Sequence, residues 1–200
     1  SRKTTKEDKL RYQISGKQID IGEALTSHVK TELGEVTGKY AGRPTDATVV
    51  FSRAGHEFTT EITVHLSTGL IAQAKGHAPE IYAAFDSGAE KMAKQLRRYK
   101  RRLKDHHKDR PQPVEVLAAA QYIVAPTEDT DEDTADSLAP TIIAEMETNI
   151  PTLSVGEAVM QMELANATLL VFRNEKGGGI NVVHRRDDGN IGWIDPQVAS

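Results

Sequence analysis

The sequence predicts an α+β chain built from two units. The N-terminal unit is β-α-β-β-β-α, with two helices on one face of a four-stranded, mostly antiparallel sheet; the C-terminal unit is a smaller β-α-β-β-β. Three observations carry this. Apolar residues recur at Ile81, Phe85, Met92, Leu96, Tyr99 and Leu103, with Ala84, Gly88 and Ala89 on the same side, which is the spacing of a long helix with one buried stripe. Residues Glu57 to Leu66 alternate strictly: Phe58, Thr60, Ile62, Val64 and Leu66 face one way, and Glu57, Thr59, Glu61, Thr63 and His65 the other. Between the units, Pro111, Pro113, Pro126 and Pro140 bracket an alanine run and the acidic run Glu128–Asp133.

The elements follow in order. Ser1–Lys9 is charged and without periodicity, and is read as an added remnant or a disordered extension. Arg11–Lys17 alternates weakly, as a first strand with Tyr12 and Ile14 on one face. Ile21, Leu25, Val29, Leu33 and Val36 have helical spacing, with Asp20 as the expected N-cap and Glu23 completing a capping box. Gly42-Arg43-Pro44 closes that helix. Ala47–Arg53 is rich in β-formers, Gly55-His56 reads as a hairpin turn, and Ser67-Thr68-Gly69 as a second turn leading into Leu70–Lys75. The long helix comes next, so the first domain spans 11–108 and the linker 109–140.

In the C-terminal unit, 141–196, Thr141–Thr148 is expected as a strand. Ser154–Leu164 is a helix with a Ser154/Glu157 capping box and Val155, Ala158, Val159 and Met162 as its apolar side. Thr168–Arg173, Gly179–Arg185 and Ile191–Ile194 are strands separated by glycine-containing turns. Some 55 residues make a small core. Leu169, Leu170, Val171 and Phe172 in a row suggest a strand covered on both faces, and a second copy of the chain is the economical cover. The expected homodimer interface comprises Leu169, Leu170, Val171, Phe172, Val182, Ile191 and Trp193.

Charge is sorted along the chain. The net charge is −4, yet Lys91, Lys94, Arg97, Arg98, Lys100, Arg101, Arg102, Lys104 and Lys108 crowd the second half of one helix, with Glu90 and Asp105 as the acids among them. Like charges at helical neighbour spacing repel, and the acidic partners of an ordinary solvated face are missing. A polyanion such as RNA fits this helix, with Lys30, Lys39, Arg43 and Lys75 as second-rank contacts. Tyr99 belongs to the core stripe rather than to a base-stacking surface. The opposite charge of Glu128–Asp133 would let it lie over the basic helix, although a solubilising linker is the simpler reading.

Catalytic and metal chemistry find no support. The chain has no cysteine, its seven histidines lack ligand spacing, Gly177-Gly178-Gly179 precedes a strand rather than a helix, and Asp187-Asp188-Gly189-Asn190 is turn chemistry. The expectation is a cytoplasmic protein that is no enzyme, with no cofactor, no metal, no small-molecule substrate and no membrane partner.

Several stretches together resemble the long form of the bacterial ribosome hibernation promoting factors, also called ribosome-associated inhibitors. These are RYQISGKQIDIGEAL, with Leu10 where the family usually has Met, the helix KMAKQLRRYKRRLKDH, and above all the tail from LSVGEAVMQMEL through VFRN and INVVHRR to DGNIGWIDP. The resemblance covers Arg11 to Pro196 except the linker, and departs from family tails in having Leu169 and Leu170 where aromatics are common. It implies an N-terminal domain that binds 16S rRNA of the small ribosomal subunit in the tRNA and mRNA channel and blocks translation. It also implies a C-terminal domain that pairs with its copy on another ribosome, in stationary phase or starvation. Taken without the resemblance, the residues leave two further readings: a free RNA-binding regulator, and a protein-interaction module that modulates a transcription factor.

Overall fold

The computed structural model describes residues 10–40, 44–66, 69–106, 115–126 and 139–197, with side chains of the long helix described as far as Arg102. Arg43, Lys108, Ser67-Thr68, the acidic run 128–133 and the side chains of Leu103 and Lys104 lie outside the described residues.

The first domain is β1 (Arg11–Gly16), α1 (Glu23–Tyr40), β2 (Pro44–Ala54), β3 (Glu57–Leu66), β4 (Ile71–Ala78) and α2 (Ile81–His106). Its sheet runs in chain order, β1-β2-β3-β4. β1 and β2 are parallel, because α1 carries the chain back between them; the β2–β3 and β3–β4 pairs are antiparallel. Both helices pack on one sheet face. Leu25, Val29 and Leu33 of α1 and Phe85, Met92 and Leu96 of α2 share one core with Val49, Phe51, Ile62, Val64, Ala72 and Ala74. The predicted α2 stripe is the buried one as far as Tyr99, and the predicted inward residues of β3 from Thr60 to Leu66 are buried.

α1 begins at Glu23, two residues later than the sequence suggests. The Gly22 carbonyl accepts from the Thr26 amide at 3.1 Å and its hydroxyl at 3.0 Å, so Gly22 rather than Asp20 stands at the helix start. Thr37, buried in the second half of α1, is satisfied by donating its hydroxyl to the Leu33 carbonyl at 2.7 Å.

Gly76 sets how close α2 lies to the sheet. A Cβ there would run into the Ala84 carbonyl and the Gly88 amide, and one at Gly88 would press on Ile62 at 3.0 Å. Backbone therefore meets backbone where α2 crosses β4, a contact that side chains would forbid.

The C-terminal sheet is β5 (Val116–Val124), β6 (Ile142–Leu153), β7 (Leu169–Asn174), β8 (Ile180–Arg185) and β9 (Ile191–Ile194), in chain order, with α3 (Val155–Leu164) between β6 and β7. The β-α-β-β-β order is as expected from β6 onward. β5 is an additional strand within the segment read as a linker, and β6 runs past Thr148 to Leu153. Their antiparallel ladder reaches from Val116 opposite Pro151 to Val124 opposite Ile142. β6 joins the rest of the sheet through a short parallel pairing, Thr152 with Arg173 and Leu153 with Asn174. α3 carries the expected capping box: the Glu157 amide donates to Ser154 Oγ at 3.2 Å, and the Ser154 amide to Glu157 Oε2 at 2.9 Å. Its Ala158 and Met162 pack with Leu153, Phe172 and Val183 as a second core.

Candidate nucleic-acid interface

α2 offers its cations on four sides. Toward α1, Lys100 Nζ donates to the Lys39 carbonyl at 2.9 Å, at the end of that helix where carbonyls lack partners. Toward the sheet, Lys91 Nζ donates to the Lys75 carbonyl at 3.0 Å. Outward, among the described residues, Lys94, Arg97 and Arg101 are exposed with no hydrogen-bonding or carboxylate partner. Together with Arg98 and Arg102 these three line a hollow of about 320 Å³. Five cations around one hollow without a carboxylate among its lining residues form a strongly anion-attracting surface.

The remaining flank carries a contact that the sequence reading missed. α3 packs against α2, burying Met160 and Leu164 within the first domain's core. Glu163 Oε2 stands 3.8 Å from Arg98 Nη2 and 4.0 Å from Arg102 Nη1. Beneath them Tyr99 is pushed up to about 12, first by burial and then by the charge of Glu157. A cavity of about 200 Å³ lies here between Gln95, Arg98, Tyr99 and Arg102 on one side and Met160, Glu163, Leu164 and Arg185 on the other. Met160 and Leu164, four residues apart and flanked by Glu157 and Glu163, were the available signal: a second apolar stripe on α3 beside the one facing its own sheet.

The second-rank cations are dispersed. Lys75 pairs with Glu61 at 3.6 Å, Lys30 lies 5.9 Å over the Tyr12 ring, and Lys39 contributes its carbonyl to Lys100. None of the three belongs to the hollow on α2. Among the described residues no cluster of His, Asp or Glu could hold a metal ion, and no helix is long and apolar enough to cross a membrane.

The residues nominated for self-association divide between the two sides of the C-terminal sheet. Phe172 is fully buried under α3, and Leu170 and Ile191 pack on the same core, so these three already serve their own domain. Leu169 and Val171 are exposed, and Val182, opposite Val171 in the ladder, shares their face with Ile180 and Ile194. The expectation that this strand is covered on both faces is not met within one chain. Trp193 pairs with Val183, yet it is 53% exposed, with Nε1 donating to Asn181 Oδ1 at 2.8 Å. The β5–β6 ribbon adds bare apolar side chains at Val116, Leu117, Tyr122, Ile123, Ile142, Ile143 and Met146.

The family described as "Sigma 54 modulation protein / S30EA ribosomal protein" matches residues 12–104, and the family of its C terminus matches residues 137–192. The chain is 39% identical over 192 residues to a ribosome hibernation promotion factor of Bradyrhizobium diazoefficiens, covering 94% of this chain and 95% of that one. A protein of the same name from Rhizobium meliloti is 38% identical over 186 residues, covering 93% and 97%. Among solved structures, the Protein Y N-terminal domain of Thermus thermophilus is 26% identical with a TM-score of 0.41, covering 46% of this chain and 99% of that one. With both domains matched and relatives aligned over nearly their full length, the chain belongs to the ribosome hibernation promotion factor family in its long, two-domain form.

Proposed function

We propose that this protein is a ribosome hibernation factor whose first domain binds rRNA of the small subunit through α2 and whose C-terminal domain pairs with a second copy, joining two idle ribosomes. One observation carries the first half: the outward cations Lys94, Arg97 and Arg101, with Arg98 and Arg102 beside them, on a helix fixed to its sheet by backbone contact at Gly76. Structured RNA is recognised chiefly through its backbone and shape, and a rigid row of guanidinium groups meets phosphates at fixed spacing. Binding releases counterions and weakens steeply with salt. A helix bound in the tRNA and mRNA channel excludes both ligands by occupancy, so no chemical step is needed.

The bare face of Leu169, Val171, Val182, Ile180 and Ile194 supports the second half. So does the β5–β6 ribbon, whose two strands carry exposed apolar side chains along their length. A second copy laid on this surface buries both in one two-fold contact.

Sucrose-gradient sedimentation with vacant ribosomes tests both halves. The full chain is expected to move ribosomes into a dimer peak. The variant R97E/R101E is expected to stay at the top of the gradient, and L169D/V171D to travel with single ribosomes. Cosedimentation of R97E/R101E at the level of the unaltered chain would refute the RNA assignment; ribosome dimers formed by L169D/V171D would refute the pairing face.

A further inference from the structure

We infer that α3 is a built-in competitor of RNA: docking of the C-terminal domain and binding of a polyanion exclude one another on the Arg98–Arg102 flank of α2. This rests on the RNA reading of α2 given above, and adds to it a closed state of the free protein.

α3 has two apolar stripes. Ala158 and Met162 serve its own core, while Met160 and Leu164 are buried in the core of the other domain. The second stripe lands beside the two arginines and brings Glu163 against both, at 3.8 and 4.0 Å. A phosphate approaching Arg98 or Arg102 from this side must displace that carboxylate and the helix that bears it. Close approach of phosphate to Glu163 is itself repulsive.

The docked state is built to be reversible. Both ion pairs are partly exposed and therefore weak. The Gln95 Oε1 acceptor, on the wall of the cavity between the domains, finds no protein partner among the described residues and so adds no hydrogen bond to the docked contact. Nine residues stand between the end of α2 at His106 and the start of β5 at Val116, so the two domains remain on one chain when the contact opens. Lys94, Arg97 and Arg101 stay open in the closed state, so RNA gains a foothold before the flank is freed. By linkage, RNA then favours release of the C-terminal domain as strongly as docking disfavours RNA.

The chain lacks cysteine, so dyes can be attached at H56C and K176C, two exposed turns on different domains. Energy transfer between them reports docking in the free protein, and a labelled double-helical RNA hairpin or vacant small ribosomal subunits serves as the polyanion. Expected is a high transfer efficiency that falls as RNA saturates. M160E/E163K should start at the low value and bind RNA more tightly, on the order of tenfold if the docked form holds about nine-tenths of the free protein; E163K, which turns two weak attractions into repulsions, should move both readings part of the way in the same direction. E163K alters one partly exposed side chain, so it guards against a folding defect in the double variant. Unchanged transfer efficiency with RNA bound, or equal affinity of wild type and both variants, overturns the competition and leaves the RNA assignment standing. Failure of wild type and both variants to bind either polyanion overturns the RNA assignment and the competition with it.

Discussion

Lys100 Nζ donates to the carbonyl of Lys39 at 2.9 Å, tying the cation-rich half of α2 to the last turn of α1. The charge that looks most central in the sequence run is thereby committed to architecture. It places a cation at a helix C-terminus, where the backbone dipole and unpaired carbonyls favour it. The replacement K100M is expected to lower the unfolding free energy by about 1 kcal/mol. It should weaken RNA binding less than R97A does, as read by denaturant melts and RNA titration in parallel.

Arg97 and Arg101 have the opposite profile. With no partner inside the protein among the described residues, R97A and R101A should leave stability within about 0.5 kcal/mol of wild type. Each should reduce the slope of log affinity against log salt by about 1. A salt series on the RNA complex decides it, and an unaltered slope would remove that residue from the phosphate-contacting set.

Gly76 admits no side chain. G76A forces a methyl group into the Ala84 carbonyl and the Gly88 amide, so α2 must lift off β4. The expected cost is at least about 2 kcal/mol, from overpacking where the obstacle is backbone. G88A meets the movable end of Ile62 and should cost less. Thermal melts of the two variants should rank G76A well below G88A.

Tyr99 gives a pH signature. Its phenol is raised from 10.0 to about 12 in the folded chain, mainly by burial. A raised value means that the folded state holds the proton more tightly than the unfolded state does. The stabilisation is present in full below pH 10 and is lost as pH rises toward 12. Stability of the wild type should therefore fall across that window more steeply than that of Y99F. E157Q, which removes the second cause of the shift, should bring the phenol's titration slightly down when followed by phenolate absorbance.

Phe172 and Leu169, close neighbours on one strand, should separate folding from association. F172A opens a cavity in the small C-terminal core and is expected to cost about 3–5 kcal/mol, enough to unfold that domain. L169D changes an exposed position and should leave the melt in place while lowering self-association in analytical ultracentrifugation.

Where periodicity met a single partner surface, the sequence was a sufficient guide. The α2 stripe from Ala84 to Tyr99 and the β3 alternation from Thr60 to Leu66 each point at one core and are buried there, while Ile81 and Phe58 at the outer ends are half-buried. β5 escaped because alanine is a poor strand former and its run stands between prolines, features of a linker; its pairing depends on β6, a partner distant in sequence. β6 continues past the expected end at Thr148 and through Pro151, which falls at the far end of the ladder, where a missing donor is tolerated. The α3 contact was illegible for another reason. Spacing identifies a buried face but not what buries it, and Met160 and Leu164 carry no mark of the domain they join. The division of LLVF into two inward and two outward residues follows from the period of two, which a run of four apolar residues conceals.

Both sheets run in chain order, and this bears on how the molecule is made. Each strand of the first sheet pairs with the next strand along the chain, so the sheet and α2 can assemble during synthesis from the N-terminus without waiting for later sequence. α3 is joined only after about fifty further residues. For that interval the nascent chain displays α2 with Arg98 and Arg102 uncovered. Translation thus yields the open form first, and closure begins only as the last third of the polypeptide is completed.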